Sequence, residues 1–328
     1  MTTLSSEAPR DPARTVLVAG GLGFVGSHVV RALVNAGYFP VLFGPDMAED
    51  RLADLAGRHE RVAGSIADRA GLAAAFGRFK PSLVVSCVAH SVGKLGLMRS
   101  GETETDAAFE INVAGHGKLI EAACASGVRR IVWTSSTVVY GPASDYADRR
   151  VDEDDRPAPT TIYGLTKQMA EAMSVFLARR HGIDIVGLRL PLILGHGLWY
   201  QGAASAIADV FAAARDGRAA RVAFHDRPLD LMHVRDVARA VLTVLGHAGP
   251  LQAVYNLKGF EAGITDLIDE IRTLQPDARI DLDPIAPALL FPLIDGSRLA
   301  MTTGFAPRYD LGGLVRNLLF PEPEHSHD

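Results

Sequence analysis

The chain has 328 residues, 48% of them hydrophobic, and a formal net charge of −5. That length is ample for one large unit or two unequal lobes around a continuous core, and lysine and arginine are scattered rather than clustered, which excludes a basic footprint for nucleic acid or an anionic membrane. No run of about 18 uncharged apolar residues occurs, the N-terminal stretch lacks an apolar signal core, and Cys87 and Cys124 sit in apolar stretches with no pairing framework; the expectation is a cytoplasmic protein without disulfides whose partner is a small molecule.

β-type and helical segments alternate along the first part of the chain. A strand is expected over Thr15 to Gly20, then a glycine-rich turn, "GGLGFVG", and a helix over Phe24 to Ala36. Strands follow at Tyr38 to Gly44 and Arg61 to Gly64, a helix at Arg69 to Phe79, a strand at Ser82 to Ala89 and a helix at Asp106 to Ser126. The series closes with a strand over Arg129 to Ser136, a helix over Ile162 to His181 and a strand over Asp184 to Leu190. This spacing suits βαβ crossovers, and so an α/β fold with a doubly wound parallel sheet covered on both faces. Past Leu190 the alternation breaks down, which points to a smaller lobe packed over the sheet edge where ligands bind. Residues 1–14 and the tail 321–328 read as disordered.

A glycine-rich turn between a first strand and a first helix is where a dinucleotide pyrophosphate sits, against free N–H groups at the helix start. Two spacings fit: Gly20, Gly23 and Gly26 at three-residue intervals, or Gly21, Gly23 and Gly26 as G-x-G-x-x-G. Farther on, "TSSTVVYG" ends the fifth strand and "IYGLTK" opens the long helix, so Tyr163 and Lys167 project from one helical face. A phenol beside an ammonium is an acid–base pair, because the positive charge favours phenolate and draws a reference pKa of about 10 downward. Ser136 is placed to hold a substrate oxygen. A Y-x-x-x-K pair also arises on amphipathic helices without catalytic meaning, and a serine pair at a strand end can simply cap a turn; the glycine turn upstream and the strand–helix order favour the catalytic reading. There is no H-E-x-x-H or C-x-x-C, so no metal site is expected.

With these motifs the chain resembles the extended short-chain dehydrogenases/reductases, the group containing NAD-dependent sugar epimerases and dehydratases. The resemblance runs from about Thr15 to Phe320 and includes "FEINVAGHGKLIEAA", "VDEDDRPAPTTIYG", "LRLPLILGHG", "LMHVRDVARAV" and "AVYNLKG". It implies a seven-stranded Rossmann domain over 15–190, also receiving about 232–257, and a substrate lobe from 191–231 and 258–320, in a homodimer. It implies Tyr163 as acid–base, Lys167 on the nicotinamide ribose and Ser136 on the substrate. Cofactor contacts are expected from Gly20, Gly23, Phe24, Val25 and Gly26, from Asp46, Ser65 and Ile66, and from Ala89, Asn112, Lys167 and Pro191. Substrate contacts are expected from His90, Ser136, Leu192, His196 and Arg227.

Departures from the family pattern matter as much. Gly44 stands where NAD-binding members place an acid, with Asp46 two residues on as its substitute, and no arginine sits in that turn, the nearest being Arg51; NAD is expected, with NADP left open. Ser65 replaces the usual adenine-contacting aspartate. Thr137 and Val138 stand where 4,6-dehydratases carry Asp-Glu, which excludes that elimination. Leu192 and Leu229 occupy positions that usually handle a nucleotide diphosphate, so a substrate without one is expected. The leading expectation is therefore an NAD(P)-dependent dehydrogenase or reductase acting on a secondary alcohol or ketone. A nucleotide-sugar 4-epimerase with tightly bound NAD is the alternative, and a non-catalytic dinucleotide sensor the third; the complete Ser136, Tyr163 and Lys167 set speaks against the sensor.

Overall fold

The computed structural model describes residues 11–321 except positions 48, 148 and 200, so 1–10 and 322–328, both within segments expected to be disordered, lie outside the described residues. Residues 11–14 depart from that expectation. They form a 3-10 turn, Pro12–Arg14, in which Asp11 accepts from Ala13 N and Arg14 donates to Gly37 O at 3.3 Å.

The first six strands are β1 Thr15–Ala19, β2 Phe39–Gly44, β3 Glu60–Ala63, β4 Leu83–Ser86, β5 Arg130–Ser136 and β6 Asp184–Leu190. They are followed by β7 Leu192–Leu194, β8 Ala220–Phe224, β9 Leu229–His233, β10 Val254–Asn256, β11 Phe260–Ala262 and β12 Ile280–Pro284. Seven of them make one sheet in the order β10-β6-β5-β4-β1-β2-β3, every pairing parallel. β1 and β4 are buried along their whole length, as their unbroken apolar runs require of strands covered on both faces. Strand order reverses between β1 and β4, which opens a crevice at their carboxyl ends, where ligands bind in open α/β sheets.

Alternate strand residues feed two different cores. Val16 and Val18 pack with helices α1 Phe24–Asn35 and α8 Val234–Gly246, whereas Leu17 and Ala19 pack with α2 Arg69–Phe79, α5 His116–Ala125 and α6 Ile162–His181. Arg130 ties α8 to the sheet: its Nη1 donates to the last carbonyls of that helix, Val244 at 2.9 Å and Leu245 at 3.2 Å, and to His247 O at 2.6 Å. Beyond β6, a three-stranded sheet, β11-β9-β7, and a two-stranded one, β12-β8, pack with α7 Ala203–Arg215, α9 Ile264–Leu274 and α11 Leu311–Leu319 around a further apolar core, while α10 Ser297–Thr303 sets Leu299 into the core of α1 and α8.

Two elements differ from their sequence-based limits. β4 ends at Ser86 rather than Ala89, which releases Cys87 to Ser91 into the crevice wall. The helix expected over Asp106 to Ser126 is divided: α4 Thr105–Phe109 leads into a π-helical segment, Glu110–Gly115, before α5, with α3 Leu97–Thr103 preceding both. Gly115 presses on Ile66 so closely that a Cβ would lie 2.9 Å from Ile66 Cγ1, and Asn112 turns inward from the widened turn.

A buried ion pair joins β5, β6 and α6. Arg189 Nη2 lies 2.7 Å from Glu171 Oε2, the two side chains only 3% and 8% exposed, and Ser135 Oγ donates to Glu171 Oε1 at 2.6 Å. Arg189 Nη1 donates to Tyr140 Oη at 2.7 Å, and that hydroxyl donates to Asp152 O at 2.7 Å. Replacing Glu171 with alanine leaves a buried guanidinium without its partner; urea denaturation is expected to show a loss of about 3–5 kcal/mol, with Glu171→Gln, which keeps an acceptor for Arg189, losing less.

Candidate active site

The crevice is a cavity of about 960 Å³, at the upper end of the range of about 300–1,000 Å³ common for ligand sites. Its floor is the turn after β1. Gly20 adopts φ +74, in the left-handed region that favours glycine, and its carbonyl accepts from Gly23 N at 3.1 Å. A Cβ on Gly26 would lie 2.1 Å from Gly20 O, so α1 can start this close to β1 only with glycine there. Gly20, Gly23 and Gly26 therefore build the cradle, and the three-residue spacing is the one that matters; Gly21 faces the core, with Leu42 2.8 Å from where its Cβ would be. Gly23 caps α1 with no side chain, so the first N–H groups of the helix face the cavity, as a pyrophosphate requires. The cradle fits a dinucleotide.

Phe24, Val25, Asp46, Ser65, Ile66, Ala89 and Pro191 all line the cavity, as expected of cofactor contacts. Asn112 does not. It sits behind the wall, 5% exposed, where Oδ1 accepts from His90 N at 2.7 Å and Nδ2 donates to Thr166 Oγ1 at 3.0 Å, while Thr166 donates to Tyr163 O at 2.8 Å. It thus pins the His90 loop to the first turn of α6. Lys167 is also set back: Nζ donates to Thr134 O at 2.8 Å and Val88 O at 3.3 Å, beneath the lining, and lies 5.7 Å from the Tyr163 ring centroid. Burial lowers its pKa to about 8, against Cys87 and Glu171, which raise it.

Tyr163 and Ser136 both line the cavity. The N-terminus of α6 is held by Thr161, which accepts from Gly164 N at 3.1 Å, and by Glu102, which accepts from Ile162 N at 2.8 Å. Gly164 allows the helix to approach the strand end, since a Cβ there would lie 2.5 Å from Val138 O. Ser136 Oγ accepts from Val138 N at 3.2 Å, which leaves its own proton to donate. The neighbouring Ser135 is committed to Glu171 and Thr137 to Leu190 O, so of these three hydroxyls only that of Ser136 is left to the cavity.

Among the expected substrate contacts, His90 and Leu192 line the cavity, and His90 Nε2 lies 3.2 Å from Glu104 Oε2. His196 does not; its ring nitrogen Nε2 bonds Asn317 O and its carbonyl bonds His28 Nε2, both at 2.9 Å, so it clasps the last helix to the first. Arg227 is exposed and outside the lining; Leu229 is also outside it, half-buried against the core of the second lobe, while Arg218 and Arg221 lie on the surface beside Asp216 and Asp283. Residues 225–231 stay outside the lining, and this end of the cavity is walled by α3 through Met98 and Arg99, by Gln201 just before α7, and by α7 through Ser205 and Asp209. Sequence reading gave none of these, nor Arg61, which lines the opposite end from the edge strand β3; α3 and α7 carry no motif of their own.

A family model described as the NAD dependent epimerase/dehydratase family matches residues 16–257. A UDP-glucose 4-epimerase of Azospirillum brasilense is 29% identical across 97% of this chain and 93% of its own length. One from Rhizobium leguminosarum bv. trifolii is 35% identical, but over 48% of this chain and 45% of that protein. In fold, the chain is similar to the Thermus thermophilus UDP-glucose 4-epimerase solved with NAD (TM-score 0.79, 22% identity, 94% and 100% of the two chains). It is equally similar to an L-threonine dehydrogenase from Cupriavidus necator (TM-score 0.80, 22% identity, 94% and 100%). With the glycine cradle and the match over most of its length, the chain belongs to the NAD-dependent epimerase/dehydratase family, within the extended short-chain dehydrogenases/reductases, and is an enzyme of that class.

Proposed function

We propose that the chain inverts a secondary alcohol carbon of a nucleotide-activated sugar, with Tyr163 exchanging the hydroxyl proton. The observation carrying this reading is the similarity to a UDP-glucose 4-epimerase over nearly the full length of both chains, which reverses the order expected from sequence, where the dehydrogenase came first. Bound NAD supplies the hydride acceptor and donor. Ser136 donates to the substrate oxygen and fixes it beside Tyr163. The Lys167 ammonium, 5.7 Å from the Tyr163 ring centroid and behind the lining at Thr134 and Val88, favours the phenolate that takes the proton. Thr137 is bonded to Leu190 O and Val138 is apolar, so neither serves as the acid or base of a dehydration.

One observation favours a second reading, oxidation of an alcohol without a diphosphate. At the substrate end Arg99 is the one cationic side chain in the lining among the described residues, Leu192 stands in the wall, and Arg218, Arg221 and Arg227 are elsewhere. The two readings separate in one experiment. Incubation with UDP-glucose or UDP-galactose and NAD, followed by proton NMR, is expected to give the 4-epimer without net NADH; NADH accumulation with L-threonine or another small secondary alcohol, and no change in the sugars, transfers the case to the dehydrogenase.

Under either reading, Tyr163→Phe is expected to lower kcat by a factor of about 100 or more while NADH affinity, measured by fluorescence, changes little. The alkaline side of the profile follows from Lys167: its charge is present below pH about 8 and lost above it, so kcat/KM is expected to fall as pH rises through that value. A Lys167→Ala chain, measured across the same range, is expected to be slow throughout and to lack that limb.

A further inference from the structure

The end of the cavity opposite Tyr163 is built where the sheet finishes. β2 ends at Gly44, the turn after it contributes Pro45, Asp46 and Met47, and the edge strand β3 contributes Arg61. Gly44 leaves open the space where an acid would take a ribose hydroxyl; a Cβ there would meet nothing nearer than Gly20 N at 3.7 Å. Arg61, two residues before the β3 residue that pairs with Gly44, lines the same cavity. Its Nε donates to His59 Nε2 at 3.2 Å, and its Nη2 donates to Asp50 Oδ1. His59 Nδ1 donates to Leu55 O at 3.1 Å, which leaves Nε2 as the acceptor that Arg61 needs. Burial and the adjacent guanidinium both hold His59 below its ordinary pKa, in the neutral form. Asp50 is fixed in turn by Leu52 N at 3.0 Å. Among the described residues the remaining N–H groups of the Arg61 fork make no hydrogen bond, and a guanidinium is the group that pairs bidentately with a phosphate.

Building on the reading of this cavity as a dinucleotide site, we propose that its ribose end takes a 2′-phosphate as well as a free 2′-hydroxyl, with Arg61 as the phosphate's partner, so that the chain binds NADP as well as NAD. Three side chains set the balance. Asp46, exposed in the same wall, takes the ribose hydroxyls of NAD and repels a phosphate. Arg61 attracts the phosphate, and Asp50 tempers that attraction by sharing the guanidinium. An acid at the end of β2 together with no nearby arginine selects NAD, and the reverse selects NADP; here both signals are present, the acid displaced by two residues and the arginine brought in from the next strand.

The test is fluorescence titration of the full chain with NADH and NADPH at one low ionic strength. The NADPH dissociation constant is expected within about tenfold of the NADH value. The ratio of the two is expected to rise about tenfold or more in Arg61→Leu and in Gly44→Asp, and to fall in Asp50→Asn. Separately, 2′,5′-ADP is expected to displace NADH from the native chain and to do so far less well from Arg61→Leu. NADH binding with NADPH weaker by more than about tenfold overturns the proposal and leaves the dinucleotide site standing, as does an Arg61→Leu chain in which both constants change equally. If neither dinucleotide binds the native chain, the reading of the cavity falls together with the proposal.

Discussion

The carboxylate of Glu171 lies buried one helical turn beyond Lys167, and three elements converge on it: α6 carries it, β6 supplies Arg189 and β5 supplies the hydroxyl of Ser135. Successive strand residues point to opposite faces. Committing Ser135 to Glu171 therefore turns Ser136 toward the crevice, and the same carboxylate fixes how far α6 has slid along the strand ends, hence the height of Tyr163. Tyr140 extends the arrangement to β10 through Asn256, 3.0 Å away, so the last strand of the sheet is keyed to the same pair. A buried pair of charges offers little net stability compared with apolar packing, and its value here lies in register.

How much of this was legible depended on whether a feature is local. α2 and α6 begin and end where the sequence puts them because their punctuation is chemical: Asp68 and Thr161 cap the starts, and Gly182 ends α6 at φ +67. The central strands were legible as short unbroken apolar runs. Ser136, Tyr163 and the glycine turn were found because each lies at a strand end or on a helix face, where spacing and direction are linked. What escaped depends on contacts far apart in sequence. The π-helical segment around Asn112 adds a residue to one turn, which a 3.6-residue period does not reveal. Lys167 shares a helical face with Tyr163, yet spacing is silent on whether an ammonium enters a cavity or binds carbonyls beneath it. His196 and Arg227 were chosen from loops, and loops are aimed by the elements they happen to pack on, here the last helix and open solvent.

The two ends of the cavity thus differ in kind. The centre is framed by parallel strands and buried helix starts that tolerate little change. The other end is framed by α3, by the loop that leads into α7 and by α7 itself, with Arg99, Gln201 and Asp209 exposed. Walls of that sort accept substitutions without disturbing the sheet.

The closeness of Gly26 to Gly20 has an evolutionary corollary. Even a methyl group would run into a backbone carbonyl, so the phosphate cradle admits no graded variation and is either intact or lost. Adaptation to a different dinucleotide is thereby displaced to the sheet margin, where Gly44, Asp46 and Arg61 are only partly enclosed and can be exchanged one at a time, each intermediate retaining a folded protein with a working pyrophosphate seat.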